Sequence, residues 1–154
     1  MRDKRFVAKH RGGPLSMDEH RLMALWAADC AEHVLLIIYR VAADQPAFEA
    51  IRQARAWAKG EVSIGNARKA AIAAHGAARD SDDAAITAAI RAAGHAAATA
   101  HMADHCLGAA GYAIRAAELG GINRETERLW QDQHLPTSIG DLVLSARAKR
   151  QVLP

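Results

Sequence analysis

The sequence predicts an all-α protein: a single compact bundle of six to seven helices, closely packed through alanine. Alanine, the strongest helix former, supplies 37 of the 154 residues. No stretch alternates apolar and polar residues as a half-buried strand would. Residues that cap or stop helices recur along the chain at helix-length intervals. These observations predict an N-terminal arm over residues 1–15 and one helical domain over residues 16–150.

The arm and the first helix are separated by clear signals. The turn formed by residues 12–14, Gly-Gly-Pro, ends the arm. Ser16 and Glu19 then form a capping box, because the serine hydroxyl and the glutamate carboxylate bind free backbone amides at a helix start. A long helix is expected from there to about Tyr39.

Two further helices follow in the first half of the chain. After Asp44 and Gln45, Pro46 predicts the second helix, since proline is favoured at the first helical position. This helix should run to Lys59 and stop at Gly60. Ser63 can cap a third helix, which should end near residue 79.

The fourth helix should begin at residues 81–83, Ser-Asp-Asp, because acidic residues suit a helix N-terminus. The helical pattern then continues from Ala84 to Leu119. One helix of that length would span roughly 50 Å, too long for a compact domain of this size. A break is therefore expected near Gly94 or in the following Ala-Ala-Ala-Thr at 96–99.

The last part of the chain predicts two short helices. Residues 120–121, Gly-Gly, end the preceding segment. Asn123 can cap a helix that runs through Leu135 and stops at Pro136. A final helix is expected over about 138–149.

Charge and cysteine content exclude several classes of protein. The net charge is +3, but the basic residues gather at the two ends and form no groove interleaved with aromatic residues, so nucleic-acid binding is not expected. No apolar run approaches the ~20 residues of a membrane span, and the charged N-terminus lacks a secretory signal. Cys30 and Cys106 have no CxxC partner. We therefore expect reduced thiols in a cytoplasmic protein.

Two polar residues of the first helix lie in its apolar stripe. Asp29 and His33 are four residues apart and so within reach of each other. They can be a structural pair that fixes helix packing, part of a functional polar pocket, or simply exposed. The apolar residues that share their face are Leu22, Leu25, Trp26, Leu36 and Ile37.

The segment His95–Glu118 has one smooth face and one polar face. The small and apolar residues are Ala96, Ala100, Ala103, Leu107, Ala110 and Ile114. The opposite face carries His101, Asp104, His105, Gly108, Tyr112 and Arg115. Two histidines at this helical spacing can bind one divalent metal such as zinc, with His33, Asp29 or His95 as a third ligand. The alternative is a solvated or hydrogen-bonded polar face without a metal.

Signals for catalysis are weak. No glycine-rich elbow or helix N-terminus activates either cysteine, and no phosphate-binding loop is present. Trp57 and Trp130 are expected to anchor the second and the short C-terminal helix to the bundle. The residues of the candidate polar pocket are Asp29, His33, His95, His101, Asp104 and His105.

Four blocks of the sequence, at residues 10–16, 25–33, 54–60 and 93–105, resemble the bacterial "putative immunity protein" family. These are small helical proteins of the immunity-protein-five-like set, and the resemblance extends over most of the chain. It implies a non-enzymatic protein that binds and neutralises a toxin of bacterial competition. It implies no catalytic residues and no cofactor. The polar positions that match the family pattern are Trp26, Asp29, His33, Arg55, Trp57, Glu61, His75, Arg79, His95, His101, Asp104 and His105.

Three functions remain open at this point. The first is a toxin-binding protein that acts by covering its partner. The second is a small helical metal-binding protein or enzyme, with a pocket where the first helix meets the His101–His105 helix. The third is a structural module that forms homo-oligomers through its alanine faces.

Overall fold

Seven α-helices and two short 3-10 turns form the part of the chain that the computed structural model describes, residues 2–38 and 45–152. The helices are α1 (Met17–Ile38), α2 (Pro46–Ala58), α3 (Ile64–Arg79), α4 (Ala84–Ala98), α5 (His105–Leu119), α6 (Arg124–Gln133) and α7 (Thr137–Val152). Within these ranges there is no β-strand, and an isolated bridge joins Ala8 to Leu15. None of these helices is both long and apolar enough to cross a membrane.

The predicted caps are confirmed. Ser16 Oγ accepts from the amide of Glu19 at 3.1 Å, and the glutamate carboxylate accepts from the amide of Ser16 at 3.0 Å. Ser63 and Asn123 cap α3 and α6 in the same way, through side-chain oxygens. Pro46 is the first residue of α2, as predicted. The predicted boundary residues Tyr39 and Asp44 lie outside the described residues.

The helical run from residue 84 to residue 119 breaks at residues 96–99, the second of the two positions predicted for the break. α4 ends at Ala98, and Thr99 closes it by donating its hydroxyl to the carbonyl of His95 at 3.0 Å. Gly94 stays inside α4. Turns at residues 99–104 then lead into α5, so that α4 and α5 lie against each other.

Alanine forms the centre of the bundle. α4 packs against α1, α2, α3 and α5. The smooth face predicted for the segment after His95 is buried between these helices at Ala96, Ala100, Ala103, Leu107, Ala110 and Ile114. Small side chains allow this close approach of helices. This face is therefore part of the core of the chain.

The apolar stripe predicted for α1 is only partly correct. Trp26 is fully buried, but Leu36 and Ile37 are 61% and 40% exposed. The buried face of α1 instead carries Met23, Trp26, Ala27, Cys30, Ala31, Val34 and Leu35. The helical wheel does not show where the neighbouring helices are, so it could not distinguish Leu36 and Ile37 from the buried residues of α1.

The segment predicted as an arm is packed on the bundle. Its two 3-10 turns are Lys4–Phe6 and Lys9–Arg11. Phe6 is buried in the main core, together with Leu15. Arg5 donates to Ser145 Oγ of α7 at 2.8 Å. Residues 2–15 therefore contribute to the core, and they do not extend away from it.

A buried polar network joins four helices around Gln131 of α6. Its side-chain amide donates to the carbonyl of Ala110 in α5, and its backbone carbonyl accepts from the indole of Trp26 in α1, both at 3.0 Å. Arg147 of α7 donates to Gln131 Oε1 at 2.6 Å and to Asp132 at 2.9 Å. α6 thus turns polar residues towards the core.

Candidate functional site

The structure divides the predicted polar pocket into two groups. His95, His101, Asp104 and His105 lie at the junction of α4 and α5. Asp29 and His33 lie in the second half of α1 and have other partners. The first group contains a fourth histidine, which the sequence-based pocket did not include.

Four imidazole rings, those of His75, His95, His101 and His105, form a histidine cluster. The ring centroids are 5.2 Å apart from His75 to His95, 5.3 Å from His95 to His105 and 5.2 Å from His105 to His101. The Nδ1 atoms of His95 and His105 are 3.2 Å apart. Tyr112 stacks on His95 at a centroid distance of 5.2 Å.

Two glycines inside helices make room for these rings. A β-carbon at Gly94 would lie 2.7 Å from Cε1 of His75, and one at Gly108 would lie 2.7 Å from Nδ1 of His95. Glycine within a helix costs about 0.5–1 kcal/mol relative to alanine. The chain therefore uses glycine where alanine would displace an imidazole ring.

The surroundings keep the cluster neutral at pH 7. Burial lowers the pKa of all four imidazoles, and that of His95 falls to about 4, with the charges of His105 and His75 acting in the same direction. The charge of Asp104 opposes this effect at His101 and His105. A neutral imidazole keeps a lone pair on one nitrogen, which can accept a proton or bind a metal.

Asp104 is a buried carboxylate beside this cluster. Its Oδ2 accepts from Arg2 Nε at 2.7 Å, whereas Oδ1 has no hydrogen-bond partner in the described part of the chain. The Nδ1 atoms of His75 and His101 are also buried without a partner there. Three unpartnered polar atoms in one small region are unusual, because buried polar groups are nearly always hydrogen-bonded.

The structure arranges the histidines of the predicted metal site differently from the expected helical pair. His101 lies in the turn before α5, so it does not share a helix with His105. His20 marks where α1 passes the α4–α5 junction, because its Nε2 lies 2.6 Å from the carbonyl of Thr99. His33 lies thirteen residues further along α1, about 20 Å from His20. Neither His33 nor Asp29, one turn before it, can therefore share a metal with the pair at the α4–α5 junction.

No group of three or more His, Cys, Asp or Glu residues within 2–38 and 45–152 is arranged to hold a metal ion. A preformed site with three protein ligands is thus not present in this part of the chain. The closest approach between potential ligands in the cluster is that of the His95 and His105 nitrogens.

Asp29 belongs to an ion-pair group that joins α1 to α2. Arg55 donates to Asp29 at 2.8 Å and to both carboxylate oxygens of Glu32, at 2.7 and 3.0 Å. The bond from Arg55 lowers the pKa of Glu32. Two carboxylates thus share one guanidinium, which leaves an excess negative charge at this surface.

His33 contacts α6 and not Asp29. Its Nδ1 lies 2.9–3.0 Å from the carboxylate of Glu127, which is buried. The ring stacks on Trp130 with a centroid distance of 3.7 Å and an interplanar angle of 1°, and His134 stacks on Trp130 at 4.0 Å. Burial raises the pKa of Glu127, while the hydrogen bond from His33 opposes this shift.

The carboxylates of Asp29 and Glu32 and the stacked rings around His33 line one shallow cavity of about 310 Å³. It is lined by Asp29, Glu32, His33, Leu36, Trp130 and His134. Aromatic rings, an exposed leucine and uncompensated negative charge are combined in this one place. We call these six residues the α1–α6 surface.

Several residues of both groups were missed at the sequence level. His75 matches the family pattern but was not placed in the pocket, and Glu127 was not singled out at all. Gly94, a glycine inside an alanine-rich helix, was a usable sign of a neighbouring bulky ring. Nothing local marks Glu127, because its partner His33 is 94 residues away.

Comparison with known proteins identifies a family. The sequence model of a family described as Imm-5 like putative immunity protein matches residues 13–138. No curated protein matches the chain, and no solved structure matches it. The match includes both polar groups described above.

Proposed function

Because the chain belongs to the Imm-5 like putative immunity protein family, we propose that it binds a toxin of bacterial competition and neutralises it by covering the toxin's functional surface, without catalysis. The α1–α6 surface supports this proposal. Immunity by occlusion requires only a complementary surface, and complexes of this kind depend on a few aromatic and apolar anchors. The two unpaired thiols agree with action in the cytoplasm.

The anchors of this surface are exposed although they are large and apolar. Leu36 is 61% exposed, and Leu129, which precedes Trp130 in α6 but does not line this surface, is 57% exposed. Leu129 lies on the outer side of α6, whose inner face is occupied by Glu127 and Gln131. Aromatic and apolar residues exposed together in this manner are typical of protein interaction sites.

The charge of the α1–α6 surface indicates what its partner presents. Arg55 compensates one of the two carboxylates of Asp29 and Glu32, and the surface therefore has a local excess of negative charge. A lysine or arginine surrounded by apolar side chains would complement it. The toxin surface is thus expected to be basic at its centre, although the immunity protein itself has a net charge of +3.

The test is complex formation with the toxin encoded beside this chain, measured by calorimetry with purified proteins. Leu36→Ser should weaken binding at least about tenfold, since it removes an apolar anchor and leaves the charge of the surface unchanged. Ile72→Ser is the matched control, because Ile72 is 63% exposed on α3 and does not line the α1–α6 surface. Equal effects of the two variants would place the interface elsewhere.

The absence of catalysis is tested on the same complex. Toxin separated from the complex under mild denaturation should have its original mass and regain full activity. A covalently altered toxin would contradict neutralisation by occlusion. No complex at micromolar concentrations would contradict toxin binding as a whole.

A further inference from the structure

We propose that His95 and His105 bind one divalent transition-metal ion of the zinc, nickel and copper group through their Nδ1 atoms. This proposal does not rest on toxin binding, since the histidine cluster is separate from the α1–α6 surface. It replaces the ligand set predicted from the sequence, in which His101 paired with His105. Imidazole is a preferred ligand of these ions.

The distance between the two nitrogens suits a shared metal. Nitrogen ligands lie about 2.0–2.1 Å from zinc, so two of them on one ion are about 2.9 Å apart at a right angle and about 3.4 Å apart in a tetrahedron. The observed Nδ1–Nδ1 distance of 3.2 Å falls between these values. The two nitrogens are therefore already at the spacing that one shared ion requires.

The protonation states are also suitable. In the metal-free protein, one Nδ1 donates a hydrogen bond to the other, so one ring carries its proton on Nδ1 and the other on Nε2. Metal binding requires the first ring to move its proton from Nδ1 to Nε2. This change moves a proton from one nitrogen to the other within one ring, so it releases no net proton.

The rings are held in place before any metal arrives. His95 lies between Gly108 on one side and Tyr112, against which it stacks. His105 is the first residue of α5, and its ring contacts both His95 and His101. Rigid ligands lose little conformational freedom on binding.

The unpartnered atoms around the pair fit the remaining coordination positions. Because no third ligand is preformed among the described residues, water would fill those positions. The free Oδ1 of Asp104 and the free Nδ1 of His101 can hydrogen-bond to such water and orient it. The negative charge of Asp104 acts on His105 and favours a cation there, and the same carboxylate pairs with Arg2 at 2.7 Å.

Two protein ligands give a modest affinity, and we expect a dissociation constant on the order of 1–100 µM, weaker than that of a four-ligand structural zinc site. Protein purified without an affinity tag is titrated with ZnCl₂ by calorimetry and with Co²⁺ by visible absorption. One equivalent should bind. No binding up to about 1 mM of either ion would overturn the proposal.

Two variants and a control locate the ligands. His105→Asn places an amide where Nδ1 was, so it preserves the hydrogen bond to His95 but removes the imidazole ligand. His95→Phe removes the other imidazole and keeps an aromatic ring against Gly108. Each should weaken binding at least about tenfold. His10→Ala, which removes an exposed imidazole, should leave the affinity unchanged. Unchanged binding in His105→Asn would contradict the proposed pair.

A measurement on the unmodified chain covers the case in which a variant fails to fold. In ¹⁵N spectra of the histidine side chains, zinc should shift the Nδ1 signals of His95 and His105 most strongly. Largest shifts at His10, His33 or His134 would assign the metal to another part of the surface and overturn the inference.

Discussion

Gly108 lies directly against His95: a β-carbon at position 108 would be 2.7 Å from Nδ1 of the imidazole. A β-carbon at Gly111, one turn further along α5, would have no heavy atom within 4 Å. Two glycines in one helix thus differ in what they do. The first accommodates a ring from α4, and the second only exposes backbone.

Gly108→Ala should destabilise the protein by about 1–3 kcal/mol, because the added methyl group overpacks the contact with His95. Gly111→Ala should stabilise it by about 0.5–1 kcal/mol, since alanine favours the helix and meets open space. Chemical denaturation of both variants measures the difference. Stabilisation by both substitutions would show that His95 is not held against α5.

Ala110→Leu should cost about 1–3 kcal/mol by overpacking, because Ala110 is buried where α5 meets its neighbours. Ala73→Leu is the matched control, since Ala73 is exposed on α3, and a surface change of this kind usually stays within about 0.5 kcal/mol. Thermal unfolding followed by circular dichroism compares them. A melting temperature unchanged by Ala110→Leu would place this alanine face in solvent.

Gln131→Ala should destabilise the fold by about 1–3 kcal/mol, because it leaves the buried contacts with Ala110 and Arg147 unsatisfied. Gln133→Ala, at an exposed position of the same helix, should have little effect. Urea titrations give both values. Equal stability of the two variants would mean that the network around Gln131 does not contribute.

Acidification should destabilise the protein through the histidine cluster. The pKa of His95 is about 4 in the folded state against an ordinary 6.5, so the unfolded chain binds more protons between these values. Stability is therefore fully present above pH 6.5 and falls as the pH falls towards 4. The groups whose charges act on His95 are His75, His105, Arg91 and Arg150.

The contribution of His95 itself is isolated with His95→Phe, which cannot titrate. Between pH 6.5 and pH 4, the natural chain should lose stability relative to this variant as the pH falls. The loss should be less than about 1.4 kcal/mol per pH unit, which is the value for the uptake of one full proton. Urea unfolding at each pH measures it. A difference independent of pH would mean that the His95 pKa is not lowered.

Both cysteines should be unreactive in the folded protein. Cys30 and Cys106 are fully buried, and burial raises their pKa values, that of Cys106 to about 12. A thiol-specific disulfide reagent at pH 8 should therefore modify neither until denaturant is added, when both react. Rapid modification of one thiol under native conditions would contradict this burial.

Local signals predicted the helices well. The caps at Ser16, Ser63 and Asn123 act on amides two or three residues away, so that the sequence contains both partners. The break between α4 and α5 followed from length alone, because a bundle of this size cannot hold one helix across it.

Pairing between distant segments could not be predicted in this way. Asp29 and His33 are correctly spaced for contact, yet their partners are Arg55 and Glu127, 26 and 94 residues away. The same limit applies to Leu36, whose place on the helical wheel predicts burial only if a neighbouring helix reaches it. The histidine cluster depends on α3, α4 and α5 together, and so only part of it was found.

The network around Gln131 also determines how the helices are aligned. Alanine surfaces are smooth, and helices packed through them can slide by a turn with little change in contact area. A slide of α6 along α5 would separate the Gln131 amide from the Ala110 carbonyl and would move both partners of Arg147, Gln131 and Asp132, away from it. Directional bonds in a nearly featureless core therefore select one register from several of similar packing energy.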